Sequence, residues 1–423
     1  MATATRSKPR ASAKQSTGVT PADFERVVSW LSTEVLVERA AELRVAIRGL
    51  IAGVNVHLIG VPGIAKSLLW RELAKCIVDS IYFEKQVHGL MPADALIGAY
   101  DPKKFLETGE LVRNVEGKLP ASHIGFVDEI TRGNGPSHDA LLSITNVGER
   151  QYEHNGVLAV AALRVFISAS NTWFDPDNQQ AQALSDRVTL MLWIEDIKSD
   201  ENFKELIRRG VRRRHGVERT ARETITLAQL DEAQALAREV DVERAEFLDK
   251  LAELRRKTKA EGLIISPRRW QELVYVCQAN AWMAGRDHCI PEDLVIVEHG
   301  LWRDQEDRAI AHKLVLEFHG RYEREAAKFK QEAAKPFADV EAIKPEVEGT
   351  PPNEELDPDV LRKAISASRA IDAVKARVDA VLREADGEKR DAASLRELSN
   401  DLLSQQKWFS TNGLPTGLGK QTA

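Results

Sequence analysis

Gly60-Val-Pro-Gly-Ile-Ala-Lys-Ser67 sits directly between an apolar run, Val54–Ile59, and the helix-forming segment Leu68-Leu-Trp-Arg-Glu-Leu-Ala-Lys75. Strand, glycine-bearing loop and helix start follow in the order that a nucleotide triphosphate site requires. Glycines let the backbone curl so that successive N–H groups point inward at phosphate oxygens. Lys66 supplies a point charge for the β- and γ-phosphates, and the Ser67 hydroxyl suits a Mg²⁺ ion. Gly60, Pro62, Gly63, Ile64 and Leu68 complete the expected cradle. Ala65 stands where the strict pattern has glycine, and its methyl is tolerated if the local φ is negative. Taken alone, the stretch also reads as a Gly-Pro turn ahead of an amphipathic helix.

The 423-residue chain is long enough for two or three domains. Its 43% hydrophobic and 29% charged residues are ordinary for a soluble globular protein. A net charge of -6 provides no general attraction to nucleic acid or to an anionic membrane. The three cysteines, Cys76, Cys277 and Cys289, show no CxxC spacing, so a disulfide framework or zinc site is not expected and a reducing cytosol is. Residues 1–19 form a basic Ala/Ser/Thr-rich tail without the apolar stretch of a secretory signal. No apolar run approaches the length of a bilayer span, which predicts a soluble, cytoplasmic protein without membrane insertion.

Working outward from the loop, the strand candidates are Val54–Ile59, Ile81–Val87, His123–Val127, Leu163–Ala169 and Val188–Ile194. Several are nearly continuous apolar runs, as strands buried on both faces of a parallel sheet should be. The expected fold is an α/β P-loop core, a parallel sheet flanked by helices, over 20–197. Thr20 reads as an N-cap with Pro21 at the first helical position. Leu111–Val115 and its flanks suggest one hairpin projecting from the core. Arg150–His154 and Val157–Ala161 suggest a second, turning at Asn155-Gly156. A helical lid is expected over 198–310, then a long helix over 311–334 and an acidic, proline-containing linker over 335–359. A C-terminal helical segment, 360–410, and a flexible tail, 411–423, complete the chain.

Phe126-Val-Asp-Glu-Ile130 ends an apolar strand with two adjacent carboxylates some sixty residues after the loop. Asp128 suits the Mg²⁺ coordination sphere, and Glu129 suits the base that orients and deprotonates an attacking water. The next strand delivers Asn171 at its carboxyl tip, the edge where ligands bind in open α/β sheets. There its amide can hold the water or the γ-phosphate; its competing role is a strand-ending turn former. Arg187 precedes the last core strand, and Arg268 and Arg269 open a helix in Ser266-Pro-Arg-Arg-Trp270. Arginine stabilises the spread charge of phosphoryl transfer, although surface ion pairs are its commoner use.

Together these elements resemble the AAA+ ATPases, and within them the MoxR branch and RavA-like proteins. The resemblance rests on Gly60–Ser67, Phe126–Ile130, Thr145–Tyr152, Ser168–Asn171, Ser185–Arg187 and Ser266–Trp270 and covers roughly residues 20 to 310. Loops of the Gly-Ile-Ala-Lys-Ser form occur in that branch. The resemblance implies ATP and Mg²⁺ bound by Lys66 and Ser67, Asp128 and Glu129 as the Walker B pair, and Asn171 as sensor 1. It makes Arg187 the finger reaching a neighbouring subunit, with Arg132 and Arg150 as alternatives. Arg268 would be sensor 2, with Arg269 as its alternative, and ATP would sit between core and lid. The two hairpins would face the pore of a homo-oligomeric ring, a hexamer by likeness. A chaperone-like remodelling role follows, with a von Willebrand factor A-domain partner as adaptor to a protein client. A nucleic-acid motor or loader is the runner-up, because Arg208-Arg-Gly-Val-Arg-Arg-Arg-His215 is a dense basic cluster.

Overall fold

The computed structural model describes residues 17–215, 220–349, 356–387 and 392–414. The expected tails therefore lie mostly outside the described residues, as does the stretch 350–355. The chain divides into two compact units at Val315/Leu316.

The first unit opens with α1 (Pro21–Glu34), whose Thr20 and Asp23 form a reciprocal capping box, and α2 (Ala40–Ala52). The core continues through β1 (Val56–Ile59), α3 (Lys66–Lys75), β2 (Ile77–Val78), β3 (Tyr82–Gln86), α4 (Asp94–Ile97), α5 (Pro102–Thr108), β4 (Ile124–Asp128) and α6 (Gly135–Ile144). Then follow β5 (Gln151–His154), β6 (Val157–Val160), β7 (Val165–Ser170), α7 (Gln179–Arg187) and β8 (Leu190–Trp193). Five strands form one parallel sheet in the order β3-β4-β7-β1-β8. Every residue of β1 and β7 is buried, because helices cover both faces, and this is why those stretches read as unbroken apolar runs. All five strand candidates are found, each with one or both ends shifted by one or two residues.

The hairpin β5–β6 turns through Asn155 and Gly156 at φ 51° and 71°, the left-handed pair its two-residue turn requires. The other expected hairpin is not a β-ribbon. The segment after Tyr100 winds into α5, capped by Asp101, and only Tyr100 and Arg113 form an antiparallel bridge across it. Asp101-Pro-Lys-Lys satisfies an N-cap and a first-turn proline locally, which overrides the glycine punctuation.

The lid contains α8 (Asp200–Arg214), β9 (Ile225–Thr226), α9 (Leu227–Arg238), α10 (Ala245–Ala260), α11 (Pro267–Met283), α12 (Glu298–Leu301) and α13 (Gln305–Val315). β9 pairs in parallel with β2. Ser266 caps α11, which packs on α2 and α9. Asp293, fully buried, is satisfied by Arg286, Asn280 and the Ile290 amide. Residues 311–334 are not one helix, since α13 ends at Val315 and a 3-10 turn, Leu316–Phe318, follows.

The second unit is a three-helix bundle of α14 (Arg321–Gly349), α15 (Pro358–Gly387) and α16 (Ala393–Thr411). The expected linker over 335–359 is therefore helical as far as Gly349, despite Pro336 and Pro345 inside α14. Ala333, Pro336, Val340, Ile343 and Val347 repeat at helical spacing and are buried. Burial of that stripe, at about 25 cal/mol per Å² of apolar surface, offsets the hydrogen bonds the prolines cannot donate. The Arg321–Glu384 and Arg377–Glu332 pairs show α14 antiparallel to α15. No helix among the described residues is long and apolar enough to cross a membrane.

Candidate functional site

The loop after β1 is shaped by two close constraints. A side chain at Gly60 would meet the Ile194 carbonyl oxygen at 2.5 Å, so only glycine lets the chain leave the sheet there. Gly63 and Ala65 then adopt φ 87° and 70°. The negative φ expected at Ala65 is not found: the residue is left-handed, in the geometry a glycine takes freely, and its methyl is held against the steric preference of an L-residue. This turn brings α3 out with its first residues, Lys66, Ser67 and Leu68, facing a cavity.

That cavity, about 310 Å³, is lined by Pro62, Gly63, Ala65, Lys66, Ser67, Leu68, Asp128, Glu129 and Asn171. Its residues come from three strand ends at the carboxyl edge of the sheet. Lys66 donates to the carbonyls of Gly60 (2.8 Å) and Val61 (2.9 Å) and to Asn171 Oδ1 (2.6 Å). Burial lowers the pKa of its ammonium, while Asp128 and Glu129 oppose that shift. Asn171 Nδ2 donates in turn to Glu129 Oε1 at 2.5 Å, so one amide bridges the lysine and the acid. Ser67 Oγ donates to Asp128 Oδ2 at 2.7 Å. Glu129 itself is left-handed, at φ 54°, a strained conformation of the kind that the surrounding structure must hold in place. Ile64 lies buried under the loop.

The donor set fits Mg²⁺ with a triphosphate. One hydroxyl and one carboxylate, side by side, leave most of an octahedral shell to water and phosphate oxygens. Among the described residues no group of three or more His, Cys, Asp or Glu could hold a metal alone. The N-terminus of α3 and the left-handed loop present backbone N–H groups to an anion.

The arginines lie elsewhere. Neither Arg187 nor Arg268 lines the cavity, and no lid residue does. The Arg187 carbonyl accepts from Asn55, the residue preceding β1, at 2.7 Å, which puts Arg187 at the amino edge of the sheet. Four strand residues at about 3.3 Å each separate that edge from the loop. The Arg187 side chain is half-buried and donates to Leu142 and Ala183 carbonyls, both at 2.9 Å. Arg268 pairs with Asp186 beside it, drawing both guanidinium groups into one cluster. Arg269 is buried, donates to the Ser185 carbonyl at 2.6 Å, and has its pKa lowered by burial to about 10. Arg150 is likewise buried, its pKa lowered to about 10 by desolvation, with Asn55 Oδ1 and the Gly53 carbonyl each at 2.8 Å. As an alternative trans-acting arginine it is therefore already committed to its own chain. Arg132 is exposed on the turn after Glu129.

One group of polar residues escaped the sequence reading. His57, in the middle of β1, has its two ring nitrogens at 2.8 Å from Ser168 Oγ and 3.0 Å from Ser170 Oγ on β7. The signal was present, since three polar side chains interrupt two strands that are otherwise apolar and wholly buried.

Residues 24–235 match the family described as the MoxR domain in the MoxR-vWA-beta-propeller ternary systems, and residues 246–315 match an AAA lid domain. The uncharacterized protein MJ0079 of Methanocaldococcus jannaschii is 30% identical over 285 residues, 67% of this chain and 72% of that protein. A second protein of that organism, the uncharacterized MJ0812, is 29% identical over 270 residues, 64% of this chain and 69% of that protein. A crystal structure of a presumed ATPase from Cytophaga hutchinsonii shares the fold, with a TM-score of 0.53 at 20% identity over 70% of this chain and 93% of that one. Matched over half its length, with a loop, an acid pair and an asparagine converging at one sheet edge and an AAA lid match following in the chain, the chain belongs to the MoxR family of AAA domains.

Proposed function

We propose that this protein is a Mg²⁺-dependent ATPase, acting as one subunit of a ring, that remodels or assembles protein complexes. The observation that carries this reading is the Asn171 amide spanning Lys66 and Glu129, within a cavity that also holds the Ser67–Asp128 pair. In the proposed site, Lys66 and the loop amides bind and neutralise the triphosphate, and Ser67 and Asp128 hold the ion. The ion, when bound, screens the charge that develops on the β- and γ-phosphate oxygens. Asn171 orients the attacking water, and the Glu129 carboxylate takes its proton. Arg187 and Arg268, at the far edge of the sheet from their own cavity, would complete the site of a neighbouring subunit. Proposed trans arginines of this kind are worth about 10³–10⁵ in rate.

The experiment is hydrolysis by Glu129→Gln. ATP binding is expected to persist while turnover falls by about 10²–10⁴-fold; undiminished hydrolysis removes Glu129 from its role. Arg187→Ala mixed with Lys66→Ala is expected to regain part of the lost activity, and the absence of any rescue would count against action in trans.

The matched family's own description favours a protein carrying a von Willebrand factor A domain as the partner, and a β-propeller protein as a third member. The bundle of α14, α15 and α16 offers that partner a surface beyond the two matched domains. Against a nucleic-acid motor, Glu205 on α8 pairs with both Arg208 and Arg209 of the basic cluster, reducing its free charge. Strong, salt-sensitive stimulation of hydrolysis by DNA would reverse that preference.

A further inference from the structure

The His57–Ser168–Ser170 group lies at the centre of the sheet, directly beneath the phosphate loop and with all three residues buried. Its hydrogens can be assigned. Ser170 Oγ donates its proton to the Thr172 carbonyl at 2.6 Å, so toward the ring it accepts, and His57 Nε2 must carry the hydrogen. Nδ1 is then the acceptor, and Ser168 Oγ donates to it. Desolvation, with Lys66 nearby, lowers the His57 pKa to about 3, so the ring stays neutral and in one tautomer at ordinary pH. The chain of bonds thus runs in one direction, from Ser168 through the His57 ring to Ser170 and the Thr172 carbonyl at the tip of β7.

That tip carries Asn171. The bond from Ser170 to the Thr172 carbonyl closes a tight turn around Asn171, and the Thr172 hydroxyl meets the Thr131 hydroxyl at 2.9 Å, two residues beyond Glu129. Phe174 packs on the His57 ring at 5.1 Å, a second pin on the same segment. An apolar residue at 57 would suit the sheet interior better, and the cost of burying three polar groups needs a purpose. We propose that His57 is a positioning residue for Asn171: its ring N–H fixes the Ser170 hydroxyl, which closes the turn that aims the Asn171 amide between Lys66 and Glu129.

This rests on the ATPase reading for its consequence in rate, but not for its geometry, and the test separates the two. Ser170→Ala and Ser168→Ala each remove one oxygen and one bond to His57, yet only the first breaks the turn. His57→Gln retains a donor near the Nε2 position, whereas His57→Asn retains only a group near Nδ1. In nucleotide-free full-length protein labelled with ¹⁵N-asparagine, the Asn171 side-chain amide signals are identified by their loss in Asn171→Ala. They are expected to shift or broaden in Ser170→Ala and His57→Asn and to stay in place in Ser168→Ala and His57→Gln. In the ATPase assay the first pair should lose about tenfold or more in kcat with KM nearly unchanged, and the second pair should keep wild-type kcat. Equal responses of Ser168→Ala and Ser170→Ala in the amide signals would overturn the proposal, whatever the turnover. Absence of hydrolysis by the wild type would instead strike the ATPase reading and leave the amide comparison to decide this one.

Discussion

Ala65 shows how one methyl group can carry a backbone cost in the loop between β1 and α3. At φ 70° an alanine pays about 1–2 kcal/mol relative to glycine in the folded state, part of which glycine returns through its looser unfolded chain. Ala65→Gly is therefore expected to stabilise the protein by up to about 1 kcal/mol, raising Tm by about 2 °C with nucleotide binding retained. Calorimetric melting checks this, and a lower Tm would show that the strain is absent. His57 sets a pH dependence by the same kind of reasoning. Its folded pKa, about 3, lies below the value near 6.5 of an unfolded histidine, so the unfolded chain takes up the proton first. The stability is complete above about pH 6.5 and declines as pH falls toward 3, at about 1.4 kcal/mol per unit for this one group. His299, half-buried and with its pKa lowered by desolvation, adds a decline of the same sign. Urea unfolding of His57→Gln between pH 6.5 and 4 should show a shallower slope than the parent, and an unchanged slope would assign the acid sensitivity elsewhere.

At the scale of the element, periodicity and capping identified most of what forms. The five strands, the Asn155-Gly156 hairpin and the Thr20 capping box all follow from residues close in sequence. Besides the break after Val315 in the helix expected over 311–334, two elements departed from the reading, each for a stated reason. Asp101-Pro102 started a helix where glycines suggested a ribbon. In α14 an apolar stripe buried against two partner helices outweighed two prolines that argued for a linker. Pro345 is exposed and cannot donate to the Glu341 carbonyl, so it contributes a local defect without packing in return. Pro345→Ala should stabilise the bundle by about 1–2 kcal/mol, seen as a higher denaturant midpoint for the helical signal of that unit. A loss of stability would mean that the proline serves a purpose in the fold.

At the scale of the whole molecule, the chain holds two independently built interiors. The second unit closes its own core from Phe329, Val340, Ile371, Val378, Leu395, Leu402 and Phe409. A fragment beginning at Leu316 should therefore be helical and unfold cooperatively by itself, and the chain ending at Val315 should still bind ATP. A molten or aggregated fragment, judged by circular dichroism and sedimentation, would show that the bundle depends on the first unit. The matched family domains end at residue 315, so this division is also where family likeness stops informing the sequence.

From sequence alone, the Gly60–Ser67 loop, the Asp128–Glu129 pair and Asn171 read as one candidate site, because local spacing on a strand–loop–helix unit marks such a cluster wherever the unit folds. The meeting of Lys66, Glu129 and Asn171 through one amide depends on strand order, since β1, β4 and β7 are neighbours only once the sheet is assembled. Tertiary structure alone also sorted the arginines, withdrawing Arg150 and Arg269 into the interior and bringing Arg268 to Arg187 at the far edge. It alone converted His57 from an odd residue in an apolar run into a ring held between Ser168 and Ser170. Burial and cross-strand partners are properties of the packed molecule, and no spacing along the chain encodes them directly.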